Sequence, residues 1–275
     1  MKNLFDTHNH CEFSFDGKRT TAQRSAQSAY EKGLGGIVFT DHYDLWVPDV
    51  PGEIMPWPQN FDIMAQQTEI ERVQNMFNDG FKVLKGIELG MNEHSRDEIR
   101  KVTATHQFDQ IIASIHYLQD SDPYYRSFFE GKNWKEAYGI YLETIYNEAV
   151  ILKNFDIIGH FDYVVRYAPY PQDSITYKDF SDILDTLFLY MIHNGKALEI
   201  NTKQSGGGNT RPTVLDKDLL LRYRELGGEI ISLGSDSHIP ASVADKFSDY
   251  ADFLKSLGFR WSAHYEKRQL VQLPL

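Results

Sequence analysis

Short apolar runs alternate with longer amphipathic stretches along the whole chain. Runs at residues 3–7, 36–40, 82–87, 110–114, 157–159, 197–200 and 229–233 predict strands. The stretches at 21–32, 61–79, 96–103, 134–154, 177–194, 214–226 and 242–257 predict helices. Four of these end in a glycine stop: Lys32-Gly33, Asn194-Gly195, Leu226-Gly227 and Leu257-Gly258. Strands alternating with helices predict parallel βαβ units. Seven such units suggest a distorted, seven-stranded relative of the eight-stranded barrel, although an open doubly wound sheet would show the same alternation. Two long loops, 43–60 and 117–133, are rich in Pro, Tyr, Trp and Asp and read as lids or binding loops. Ser205-Gly206-Gly207-Gly208 reads as a flexible loop after the sixth strand. No linker or internal repeat interrupts the pattern, so residues 1–275 are expected to form one domain.

Composition adds limits rather than a direction. The 275 residues are 41% hydrophobic and 24% charged, ordinary for a globular α/β chain. A net charge of −11, with no dense Lys/Arg run, argues against nucleic-acid or membrane partners. A small phosphorylated substrate stays compatible, because a bound cation reverses the local field. The single cysteine, Cys11, allows no intrachain disulfide and is read as a small packing residue. The N-terminus carries no signal-like apolar run, and no 18-residue apolar stretch exists, so a soluble cytoplasmic protein is expected. The oligomeric state is not legible.

The strand ends carry the chemistry. They read Asp6-Thr7-His8-Asn9-His10, with Asp16 shortly after; Thr40-Asp41-His42; Gly86-Ile87-Glu88; Ser114-Ile115-His116; Gly159-His160-Phe161-Asp162; Glu199-Ile200-Asn201; and Gly234-Ser235-Asp236-Ser237-His238. Six of the ten histidines fall there, on the face where a parallel barrel gathers its catalytic groups. Imidazole with carboxylate suits zinc, iron or manganese. His8 and His10, two apart on a strand, point to the same side and can grip one ion. Singly, each group has a structural reading: Asp41 as a helix cap, Glu88 paired with Lys85, His116 or His160 as a hydrogen-bonded core histidine. Such readings do not explain five strands ending in histidine or in acid plus histidine. His94, His106, His193 and His264 lie on helices or in the tail and are expected to have no catalytic role.

Taken in this order, these motifs resemble the polymerase-and-histidinol-phosphatase (PHP) superfamily of metal-dependent phosphoesterases, and most of all its stand-alone histidinol-phosphate phosphatases. The resemblance implies a distorted (β/α)7 TIM-like barrel with two or three divalent ions, zinc, manganese or iron, at the carboxyl ends of the strands. It implies that His8, His10, Glu88 and Asp236 hold a first ion, with Glu88 bridging to a second on His116 and His160. A third would sit on His42, His238 and Asp16, where many relatives have histidine in place of Asp16. Glu88, Asp41 and Asp236 are the expected catalytic acids, with Asp41 hydrogen-bonding a ligating histidine. The implied reaction is hydrolysis of L-histidinol phosphate. Nucleotides or another small phosphate ester are the alternative substrates, and an amidohydrolase or a non-catalytic metal-binding protein are the more distant readings. Phosphate also favours arginine forks, and Arg166, Arg211 and Arg19 follow strand ends in suitable loops. Glu12, Tyr117 and Tyr163 are candidates to contact the rest of the substrate.

Overall fold

In a computed structural model of the chain, residues 1–49, 58–203 and 210–275 are described; the glycine-rich run and the middle of the 43–60 loop lie outside them. The elements run β1 (Phe5–Asn9), α1 (Ala22–Glu31), β2 (Gly36–Phe39), β3 (His42–Tyr43), α2 (Ile63–Gln74), β4 (Lys82–Gly90), α3 (Arg96–Thr105), β5 (Gln110–Ser114) and α4 (Trp134–Leu152). There follow β6 (Ile157–Ile158), α5 (Tyr163–Tyr167), α6 (Tyr177–His193), β7 (Ala197–Asn201), α7 (Lys217–Glu225), β8 (Ile231–Gly234), α8 (Phe247–Ser256), β9 (Trp261–Glu266) and β10 (Gln269–Pro274). Caps decide several boundaries that periodicity left loose. α7 begins only after Asp216, whose carboxylate accepts from Asp218 N, and α4 begins at an Asn133–Glu136 capping box. Gly33 and Gly227 adopt φ of 75° and 98°, as expected of glycines that end helices.

The main sheet has the order β1-β2-β4-β5-β6-β7-β8, with every neighbouring pair parallel and β3 added against the end of β4. The two edges approach each other. Asn9 bridges Ser237, His10 N donates to Ser237 O at 2.8 Å, and Thr7 Oγ1 donates to Leu233 O at 2.8 Å. The sheet therefore nearly closes into a (β/α)7 barrel rather than lying open. β2 and β5 are buried at every position, which is why β2 and the middle of β5 are apolar runs without alternation.

Periodicity did not anticipate the last two strands. β9 and β10 form an antiparallel hairpin whose turn residues, Lys267 and Arg268, both have positive φ (49° and 65°). That turn normally favours glycine or asparagine. Here contacts to the barrel hold it: Lys267 N donates to Asp109 Oδ1, Arg268 N to Asp109 O, and Arg268 Nε to Asp156 Oδ2 at 2.6 Å. Tyr265 packs with Ile112, Ile157 and Ala197, Leu273 lies against Phe5, Val38 and Leu84, and His264 stacks on Phe5 at 3.6 Å. Phe5, Ile157 and Ala197 begin their strands, so the hairpin plugs the amino-terminal mouth, opposite the strand ends that carry the histidines. Arg268→Met, which leaves the buried Asp156 carboxylate without its guanidinium partner, is expected to lower the unfolding free energy in urea by about 1–3 kcal/mol.

Candidate metal centre

At the carboxyl ends of the strands, Glu88 of β4 is fully buried among five imidazoles from four different segments. Its Oε2 lies 2.8 Å from His42 Nδ1, 3.3 Å from His8 Nε2 and 3.6 Å from His10 Nε2. Its Oε1 lies 2.9 Å from His160 Nε2 and 3.2 Å from His116 Nε2, and accepts from Ser114 Oγ at 2.7 Å. Asp236, at φ 49° just past β8, lies 3.3 Å from His10 Nε2, and His238 Nε2 lies 2.9 Å from Asp16 Oδ2. The structure thus gathers all nine sequence-identified ligand candidates into one cluster. Asp16 is its outermost member, with 38% of its side chain exposed.

Charge explains the arrangement. A buried carboxylate is costly unless positive charge surrounds it. Burial opposes ionisation of Glu88, but His8, His116 and His42 hold its carboxyl well below the ordinary range. Burial likewise opposes Asp236, which Lys203, His10 and Arg166 hold well below that range. The same carboxylates overcome the burial of His8, His42 and His116 and raise their pKa values, Glu199 adding most at His8 and Asp44 at His116. Burial keeps His10 and His160 low. A cluster this rich in carboxylate calls for cations, and its donors are those that hold divalent metals.

The hydrogen bonding fits the same occupant. His8 Nε2, His10 Nε2, His42 Nδ1 and Glu88 Oε2 are buried without a hydrogen-bond partner among the described residues. Buried polar atoms are seldom left so. Among the described residues, four overlapping ligand sets have donor atoms within 4.8 Å of one another: His8/His10/Asp236, His8/Glu88/His160, His42/Glu88/His116 and His10/His42/His238. The residues therefore fit divalent ions.

Several expectations need correction. Asp41 touches no ligating histidine: its buried carboxylate accepts from Cys11 N at 2.7 Å, Cys11 Sγ at 3.1 Å and Gln66 Nε2 at 2.7 Å, so it ties β2 to the loop after β1 and to α2. Cys11 is consequently a polar partner as well as a packing residue. Arg211 borders the site but is not poised toward a phosphate. Its guanidinium donates to Val165 O, Tyr170 O, Gln172 O and Tyr138 Oη, bracing residues 165–172. Glu12 faces away, accepting from Ala22 N at the start of α1. Lys85, the structural partner considered for Glu88, pairs with Glu71 instead.

Arg166 is buried, with NH1 3.0 Å from Asp236 Oδ2 and its Nε without a partner. Arg19 is exposed at the cavity's edge. Sequence reading passed over Lys203, whose Nζ lies 3.0 Å from Asp236 Oδ1 and 3.4 Å from His238 Nδ1. It also passed over Asp44, 3.1 Å from His116 Nδ1, and Glu199, 2.7 Å from His8 Nδ1. Only position marked them: Glu199 and Lys203 stand at or just beyond the sixth strand end, and Asp44 two residues after His42. Over the cluster opens a cavity of about 620 Å³, with Tyr117, Asp122, Tyr124, Tyr163 and Tyr167 on its walls. Burial pushes Asp122 up to about 7 and Tyr167 up to about 12.

A model of the PHP domain matches residues 6–203. The chain is 34% identical over 240 residues to the histidinol-phosphatase of Lactococcus lactis subsp. lactis, covering 87% of this chain and 85% of that protein. It is 30% identical over 265 residues to a probable histidinol-phosphatase of Clostridium acetobutylicum, covering 96% of this chain and 98% of the relative. The crystal structure of histidinol phosphate phosphatase from Lactococcus lactis, complexed with zinc, L-histidinol and phosphate, superposes with a TM-score of 0.83. That superposition has 28% identity and covers 98% of this chain and 99% of the other.

Two measurements test the electrostatics. Glu88→Gln removes the charge at the centre, and its affinity for divalent metal, read by chelator competition, is expected to fall at least about 10-fold. Asp122 gives a pH signature. Its pKa rises from 3.8 to about 7 on folding, so its neutral form favours the folded state and that contribution is lost as pH rises through this window. Urea unfolding across about pH 4 to 8 should show wild type losing stability relative to Asp122→Asn up to about pH 7, and a constant difference above it.

Proposed function

The chain belongs to the PHP domain family, and from that footing we propose that it is a metal-dependent phosphomonoesterase hydrolysing L-histidinol phosphate to L-histidinol and phosphate. The observation that carries the reading is Glu88 with five imidazoles within 3.6 Å, set beneath a cavity large enough for a small phosphate ester. Its sequence likeness to the histidinol-phosphatase of Lactococcus lactis, and the zinc, L-histidinol and phosphate in that protein's structure, favour the same substrate here. Among the described residues no helix is long and apolar enough to cross a membrane.

The protein uses divalent metal. We assign a first ion to His8, His10, Glu88 and Asp236, a second to Glu88, His116 and His160, and a third to His42, His238 and Asp16; zinc, manganese and iron all suit these donors. Bound there, the ions would supply Lewis-acid charge to phosphoryl oxygens and a water of lowered pKa. The chain's own side chains do the rest. Arg166 and Lys203, both held on Asp236, put two fixed cations beside the ligands, where a phosphate dianion needs neutralising. Tyr117, Tyr163 and Tyr167 wall the cavity with aromatic surface that suits a flat, cationic leaving group. Asp122 adds a carboxyl that is ionised only near and above neutrality.

Phosphate release from L-histidinol phosphate, nucleoside monophosphates and sugar phosphates, by protein stripped of metal and reloaded with manganese, zinc or iron, tests the reading. A metal-dependent preference for L-histidinol phosphate is expected. Comparable turnover of the other esters would replace it with a broader phosphoesterase activity. Arg166→Ala is expected to lower kcat/KM for the phosphate ester about 10–100-fold, and an unchanged value would remove Arg166 from the site.

A further inference from the structure

Glu199 holds a position that none of the ligand assignments uses. Its carboxylate is buried on β7, with Oε1 2.7 Å from His8 Nδ1 and Oε2 accepting the backbone N–H of His160 at 2.6 Å. Asn201 Nδ2 also reaches Oε2, at 3.4 Å. One side chain thus joins β1, where His8 sits, to the segment after β6 that carries His160. An ionised carboxylate only accepts hydrogen bonds, so the contact requires the proton of His8 on Nδ1. The other nitrogen, Nε2, faces Glu88 Oε2, 3.3 Å away, and is the one left to ligate an ion.

The adjoining strand is shaped around this carboxylate. A Cβ on Gly234 of β8 would overlap Glu199 Oε1 and come within 2.6 Å of His8 Cβ. Gly234 is needed here for space: it leaves room for Glu199 and His8 to meet. We propose that Glu199 is a positioning residue that fixes the tautomer of His8 and couples its orientation to that of His160, with Gly234 keeping the space in which it does so. The inference rests on the metal reading above. Its logic is a count of acceptors. Two N–H groups, His8 Nδ1–H and His160 N–H, meet two carboxylate oxygens. A glutamine offers one acceptor and one NH2 group. If its oxygen stays with His160, the NH2 faces His8 Nδ1, which must then accept, and the proton moves to Nε2, the ligating nitrogen. If its oxygen stays with His8, the NH2 opposes the His160 N–H and displaces that segment.

The test compares wild type, Glu199→Gln and Gly234→Ala, stripped of metal and shown to be folded by near-UV circular dichroism. Zinc affinity is read by competition with a chromogenic chelator. The His8 ring protons of the zinc-loaded proteins are read by long-range 1H–15N spectroscopy. Zinc is expected to bind about 10–100-fold more weakly in both variants. The slowly exchanging Nδ1 proton of His8 should be present in wild type and lost in Glu199→Gln, a change that a merely structural role would not produce. Should one variant fail to fold, the other decides through its zinc affinity. Unchanged zinc affinity in a folded variant overturns the proposal. Wild type that binds no zinc would instead overturn the metal reading, and this inference with it.

Discussion

The Glu88 carboxylate is shut away from water, and a charge in that position is tolerable only if positive charge is brought to it. Five imidazoles answer from four segments, and Asp236 and Asp16 extend the same demand outward. Protons meet part of it, on His8, His42 and His116, whose pKa values the carboxylates raise against the effect of burial. Divalent ions would meet it with the same atoms, which accounts for the buried His8 Nε2, His10 Nε2, His42 Nδ1 and Glu88 Oε2 that lack hydrogen-bond partners among the described residues.

The barrel supplies that convergence. Its parallel strands release their chain at one mouth, and the seam between β8 and β1, pinned at Ser237 and Leu233, brings Asp236 and His238 against His10. The other mouth is sealed by the β9–β10 hairpin, whose turn is held by Asp109 and Asp156 rather than by turn-favouring residues. Stability at one end and chemistry at the other are thus assigned to different residues, and a change in the hairpin need not touch the ligands.

The electrostatics also reconcile an acidic protein with an anionic substrate. The chain as a whole carries −11, yet Arg166 and Lys203 are both drawn to Asp236, beside the expected metal ligands. Each carboxylate that helps hold a cation also anchors a basic side chain or a histidine. With divalent ions held by the same carboxylates, Arg166 and Lys203 would give an anionic phosphate local positive charge despite the net charge of the chain.

Much of this was legible in the order of residues. The alternation of apolar runs predicted the βαβ units, because strands buried on both faces are mainly apolar, with polar residues where a partner or the site receives them. The ligand candidates stood out because parallel strands end at one mouth, so their positions in sequence were also positions in space. What tertiary structure decided was direction and partnership. Nothing in Thr40-Asp41-His42 says that Asp41 turns to Cys11 and Gln66 while His42 turns to Glu88, since neighbouring side chains on a strand face opposite ways and the register with β4 chooses between them. Arg211 and Arg166 both follow strand ends, but only the folded path of residues 165–172 shows one guanidinium saturated by carbonyls and the other beside Asp236. Glu199, though it stands at a strand end, and Asp44 were given no role for the same reason: a carboxylate that orients a histidine from another strand leaves no spacing in sequence. The hairpin likewise carries no strong period, because it is held by contacts across the barrel. Patterns repeated along the chain determined the architecture and the ligand types; contacts between distant segments determined which atoms meet.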